Sequence, residues 1–270
     1  MNRFYRIVSS IAVVLIGIGV VLGGIGLLLG GRMGDLPVGL RFGFPPRIWG
    51  SDTVEADYNN IYTLDFQFEA MDVQIKEGDG FSIRAERVNS RRFSTYQDGS
   101  KWIIRCDNRS SGLNRINWGN SWDKKAPRVV VTVPRGFTAD RLDLEMGMGF
   151  LVADGLSADH SDIYLGMGEM DLVDFSSGNC ELEVGMGSLT LDGKLTGKGD
   201  VTCGMGSVEL LLQGRESDYG FDASVGMGSV NIGLHSIDGL GGAMTINTGA
   251  PNFFAVDCGM GSVDITFSKE

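Results

Sequence analysis

Histidine is almost missing from this sequence: His160 and His235 are the two in a chain of 270 residues. They fall at different positions relative to the repeat described below and read as loop residues. A His-based nucleophile–base pair and an H-E-x-x-H zinc helix are therefore not expected, and the sequence holds neither a G-x-S-x-G elbow nor a phosphate-binding loop. Cysteine is scarce as well. Cys106, Cys180, Cys203 and Cys258 form no C-x-x-C pair and have no histidine at ligand spacing, which argues against zinc. Basic residues are outnumbered, 23 against 34 acidic ones, for a formal net charge of −11. That balance repels nucleic acid and anionic headgroups, so no nucleic-acid partner is expected. Helical periodicity of useful length is absent after residue 30.

A long apolar run opens the chain. Ile7 to Leu29 are 23 residues without a charge, about 34 Å of helix at ~1.5 Å per residue, enough to cross a bilayer. The run is too long for a signal-peptide core and no A-x-A pattern follows it. The expectation is one uncleaved transmembrane helix within residues 1–30 (span 7–29), followed by a juxtamembrane stalk over 31–50. Arg3 and Arg6 precede the run and Arg32, Arg41 and Arg47 follow it, so charge alone leaves the orientation open.

Glycine is the residue in excess, at 41, and it is placed periodically. Gly-Met-Gly occurs six times, centred on Met148, Met167, Met186, Met205, Met227 and Met260, with spacings of 19, 19, 19, 22 and 33. A period near 19 is too short for two helices and suits one turn of stacked strands. Four and two residues before each Met the side chains are apolar or small, as in Leu144/Met146, Ile163/Leu165 and Val201/Cys203, with mostly polar residues between. Such period-two alternation is that of a half-buried strand. Continued through the Met, it points the six methionines into the core and disfavours a methionine-rich cofactor site. Apolar residues three and five positions after the Met imply a second strand, with Gly-Ser as the corner between the two. The same register places Cys203 and Cys258 inside as small apolar residues, which argues against disulfides although an even count outside the cytoplasm admits them.

The expected fold is thus all-β: a β-solenoid, or β-helix, of about 19-residue coils over 136–270, preceded by a β-strand region over 51–135. Within that region the stretches 61–68, 71–75, 81–85, 101–105 and 128–134 read as strands.

Two places are candidates for binding. Five residues before the Met stand Asp143, Asp162, Glu181, Asp200 and Asp222, then Ala255. In-register carboxylates about 5 Å apart repel unless screened or bridged. They read either as a solvated strand edge or as a metal rail, with Ca²⁺ as the candidate cofactor or a cationic partner in its place. The insertion 108–127 holds Trp118 and Trp122 among amides and lysines, either a loosely packed loop or a ligand-contacting one.

The order of an N-terminal span, VQIKEGDGFSIRAE, DGSKWIIRC, VVVTVPRGF and glycine-cornered repeats such as ELEVGMGSLTLDG resembles one family. It is that of bacterial membrane-anchored β-strand repeat proteins regarded as candidate adhesins, the domain of unknown function 4097. The resemblance covers about residues 55–267. It implies a right-handed solenoid, a single-pass protein of the cell membrane with its C-terminal domain extracytoplasmic, and no catalytic residues. The expected function is non-catalytic binding of a cell-wall component or envelope protein. A self-assembling envelope scaffold and an accessory of an envelope-stress signalling system are the alternatives, so self-association stays open.

Overall fold

The structure, a computed structural model, describes residues 49–106 and 126–268. The expected span 7–29, most of the stalk, and Trp118 and Trp122 lie outside the described residues. Among the described residues no helix is long and apolar enough to cross a membrane.

The described chain is all-β, with eighteen strands and a single 3-10 turn at Glu216–Asp218. Before the repeat come β1 (Trp49–Tyr58), β2 (Thr63–Phe68), β3 (Met71–Gly78), β4 (Phe81–Val88), β5 (Phe93–Asp98), β6 (Lys101–Cys106) and β7 (Arg128–Pro134). The repeats form β8 (Thr138–Asp154), β9 (Ser157–Val184), β10 (Ser188–Leu195), β11 (Lys198–Cys203), β12 (Ser207–Gln213), β13 (Tyr219–Val225) and β14 (Ser229–Ile232). The chain closes with β15 (His235–Asp238), β16 (Ala243–Ile246), β17 (Asn252–Cys258) and β18 (Ser262–Ser268). Both histidines therefore lie on strands, His160 on β9 and His235 on β15, where loops were expected.

Alternation makes these strands. Within β7 the valines Val129, Val131 and Val133 are buried while the residues between them are not, and β10 repeats the pattern with Leu189, Leu191 and Leu195. Residues 19 apart then pair in parallel: Leu144 with Ile163, Met148 with Met167, and Leu189 with Val208. The strand before each Gly-Met-Gly joins one ladder and the strand after it joins a second. The apolar columns of both close on one core, seen in Leu144, Ile163, Leu182 and Val201 on one side and Leu151, Met170, Leu189 and Val208 on the other. The strands β2 and β3 extend the two ladders upstream by pairing with the two halves of β8.

Aromatic side chains fill the two ends of this core. Trp102 packs against Tyr58, Phe66 and Phe81 at the upstream end, with Phe137 on Phe81. Tyr219, Phe221, Phe254 and Phe267 cluster at the other.

Two expectations are corrected. The turns do not stack in chain order. Val256 on β17 pairs with Val201 on β11 and with Ala223 on β13, while Val263 on β18 pairs with Val208 on β12 and Val230 on β14. The last turn in sequence is therefore inserted between the fourth and fifth. The local segment explains why: β15 folds back antiparallel on β14, with Ile232 opposite His235, and β16 does the same on β13. Those short-range pairings close small loops at low entropic cost and occupy the outer edge. The edge facing β11 and β12 is what remains for the last turn. The final strand is accordingly internal, and the short strands β15 and β16 cover the end.

The methionines are the second correction. Met148, Met186 and Met227 are exposed by 40, 41 and 52%, and Met167, Met205 and Met260 are half-buried. The alternation ends at the corner because the corner is the Gly-Met-Gly tripeptide itself. At the first two corners Gly149 and Gly168 take φ of +128° and +113°, backbone that breaks the pleat; at the other four the strand stops two residues before the Met and resumes two residues after it. The serine that follows already belongs to the second strand. Cys203 and Cys258 are buried, as the register requires, and pair across β11 and β17.

Candidate functional site: an acidic face

Five residues before each corner the side chain points out of the first ladder. Asp143 stands opposite Asp162, and Glu181 opposite Asp200. The step between Asp162 and Glu181 lies within β9, whose later part stacks on its earlier part: Gly185 N–H donates to Leu165 O and Met186 N–H to Gly166 O. Four carboxylates are therefore consecutive. A fifth precedes them, because Asp65 on β2 pairs with Asp143. No Gly-Met-Gly marks that strand, so the repeat alignment does not reach it. At the other end Ala255 intervenes, paired with both Asp200 and Asp222. Asp222 therefore stands apart, about 10 Å beyond Asp200 at ordinary strand spacing, and accepts a hydrogen bond from Thr245 Oγ1 at 3.3 Å.

A second outward column runs beside the first, through Gln67, Glu145, Tyr164, Glu183, Thr202 and Asp257. Gln67 Nε2 donates to Glu145 Oε2 at 2.5 Å, and Ser224 Oγ donates to Asp257 at 2.5 Å. Together the columns line an open depression of about 460 Å³.

Charge is compensated at one end only. Lys101 Nζ and Arg105 both reach Asp65 Oδ2 at 2.5 Å. Arg141 bridges Asp143, at 2.8 Å, and Asp162. Among the described residues no lysine, arginine or histidine comes within ion-pair distance of Glu181, Glu183 or Asp200. The downstream half of the face is a bare anionic surface.

The titration of the two best-held carboxyls differs in sign. Burial disfavours the charge of Asp65, but the hydrogen bonds from Arg105 and Lys101 outweigh it and hold its pKa below the ordinary 3.8. For Asp143 burial wins over the Arg141 hydrogen bond, and the neighbouring Asp162 adds to it, so its pKa is raised. A depressed carboxyl adds stability that is present above the unfolded value and lost as pH falls through the folded one. A raised carboxyl opposes folding at neutral pH, and that opposition disappears on acidification. The expected stability profile therefore rises slightly as pH drops from neutrality, then falls below 3.8. Urea titrations across that range check it: Asp143→Asn removes the rise and Asp65→Asn reduces the fall.

Calcium takes six to eight oxygens, about 2.3–2.6 Å away, whereas a straight column offers neighbouring carboxylates two at a time along an open surface. Among the described residues no group of three or more His, Cys, Asp or Glu side chains is placed to hold a metal ion. The face can attract cations collectively. Of the two histidines, His235 lies 3.9 Å from Glu216 and His160 pairs with Arg141 on the neighbouring turn.

No family model matches this sequence, and no curated protein matches it either. Solved structures similar to it include a candidate cell adhesion protein from Clostridium sporogenes, 12% identical, covering 80% of this chain and 99% of that one with a TM-score of 0.43. A candidate adhesin from Bacteroides fragilis is 12% identical, covers 79% of this chain and 97% of its own, and gives a TM-score of 0.33. A candidate lipid-binding protein from Parabacteroides distasonis is 13% identical over 80% of this chain and 96% of that one, with a TM-score of 0.28.

Proposed function

We propose that this chain is a non-catalytic binding protein of the bacterial cell envelope, held by one N-terminal helix, whose β-solenoid presents its acidic face to a cationic partner. The observation that carries the reading is the one-sided compensation of the carboxylate column. Asp65, Asp143 and Asp162 already have basic partners within the chain, while Glu181, Glu183 and Asp200 have none among the described residues. Carboxylates stacked about 4.8 Å apart repel one another, and a partner bearing amines, or one bridged through Ca²⁺, relieves that repulsion on binding. Recognition of this kind depends on the field of several charges at once, so it weakens as salt screens beyond about 8 Å at physiological ionic strength. End-to-end assembly is not part of the reading, since short edge strands such as β15 and β16 discourage further pairing.

Co-sedimentation of the full chain with isolated envelope fragments tests it, at low and high salt and with and without millimolar Ca²⁺. The chain is expected to sediment at low salt. A variant carrying Glu181→Gln, Glu183→Gln and Asp200→Asn is expected to stay in solution. Equal sedimentation of the two proteins, or none under any condition, overturns the proposal.

A further inference from the structure

We propose that the six corner methionines form a binding site for a soft monovalent cation, of the class of Cu(I) and Ag(I), along one edge of the stack. The register is set by the backbone. Met148 pairs with Met167. From there Met186 N–H donates to Gly166 O, Met205 to Gly185 O, Met260 to Gly204 O and Met227 to Gly259 O. The thioethers therefore follow one another in the order 148, 167, 186, 205, 260, 227, one per rung, about 4.8 Å apart.

The glycines on either side explain why the corner carries one side chain per turn. A Cβ at Gly166 would lie 2.6 Å from Gly147 O, and one at Gly204 would lie 2.8 Å from Gly185 O. At Gly168, Gly206 and Gly228 the neighbouring glycine carbonyl is closer still. Each turn thus packs backbone on backbone at the corner and pushes its single side chain outward. Nothing in that geometry asks for methionine. Three of the six are exposed and the others half-buried, so polar residues or leucine would satisfy the same fold. Yet half of the chain's 12 methionines stand here.

What the six share is sulfur. Thioethers are soft ligands that favour Cu(I) over hard cations, and an unbranched side chain with three rotatable bonds lets neighbouring rungs converge on one ion. The net charge of −11 raises the cation concentration around the molecule. Carboxylate oxygen suits Mg²⁺ and Ca²⁺, so the acidic face and this edge select different cations, and the inference does not rest on the envelope-binding proposal.

Two measurements test it on the full chain. In the first, methyl-labelled methionine signals are followed during anaerobic titration with Ag(I). The corner methyls are expected to shift while those of the buried Met71, Met146 and Met170 do not. In the second, Cu(I) is contested with a chromophoric chelator, using a variant with all six corner methionines changed to leucine. Leucine keeps volume and apolarity, so its melting temperature is expected to stay near that of the parent while Cu(I) binding is lost. Unmoved corner methyls overturn the proposal, as does a leucine variant that holds Cu(I) as tightly as the parent, which would assign the ion to the cysteines.

Discussion

Ending the chain after Ala250 is expected to unfold β13 to β16 as well as remove β17 and β18. Apart from one another, β13 and β14 are paired with the inserted turn, through Ala223 on Val256 and Val230 on Val263, and with the local strands β15 and β16. Without the last turn no strand pairing joins that end to β11 and β12. The truncation also strips Phe254, Val256, Val263 and Ile265 from the core, on the order of 10 kcal/mol at about 1.5–3 kcal/mol per buried side chain. That is comparable to the net stability of an ordinary domain. Hydrogen exchange reads the result strand by strand. Protection should vanish over residues 219–246 and persist in β2, β3, β8 and β9. Stacking in chain order gives the opposite outcome: β13 and β14 would stay paired to β11 and β12 and keep their protection.

Changing Gly168 to alanine is expected to cost about 3 kcal/mol or more, the range of a severe backbone conflict. Two causes act together. Its φ of +113° lies where side chains are strained, and a Cβ there would collide with the carbonyl oxygen of Gly149 on the neighbouring turn. Relief would require parting two turns at their tightest point. Gly80→Ala is the matched control, since nothing lies within 4 Å of a Cβ there, and its effect should stay within about 0.5 kcal/mol. Chemical denaturation of the two variants decides the matter; equal stabilities would mean that the corner yields.

Where the sequence repeats, it was informative about the structure. The columns through Leu144, Ile163, Leu182 and Val201 are buried as their alternation requires, because a period of two and a period of 19 together leave one inward register. Legibility failed at the corner for a physical reason: parity extrapolates only along a regular pleat, which positive φ interrupts at Gly149 and Gly168 and a break between strands interrupts at the other four corners. Asp65 was missed for another. Leu64-Asp65-Phe66-Gln67-Phe68 repeats the pattern of Leu142-Asp143-Leu144-Glu145-Met146 position for position, but no Gly-Met-Gly follows to flag it. The inserted turn left faint traces. Spacings of 22 and 33 replace 19, the acidic column carries a lone Ala255, and Cys258 matches Cys203, its spatial neighbour. None of these fixes an order, because any two turns of similar profile can pair. The choice falls to the antiparallel return of β15 and β16, which occupies the competing edge.

The inserted turn also decides how the molecule meets tension. In an array whose turns follow chain order, a pull on the last residue peels the outermost turn and then the next, one set of hydrogen bonds at a time. Here the pull acts on β17 and β18, each bonded along both edges, β17 to β11 and β13 and β18 to β12 and β14. The load runs along the strands and falls on both rows of hydrogen bonds together. The C-terminal end must be drawn out from between two turns before anything else can open.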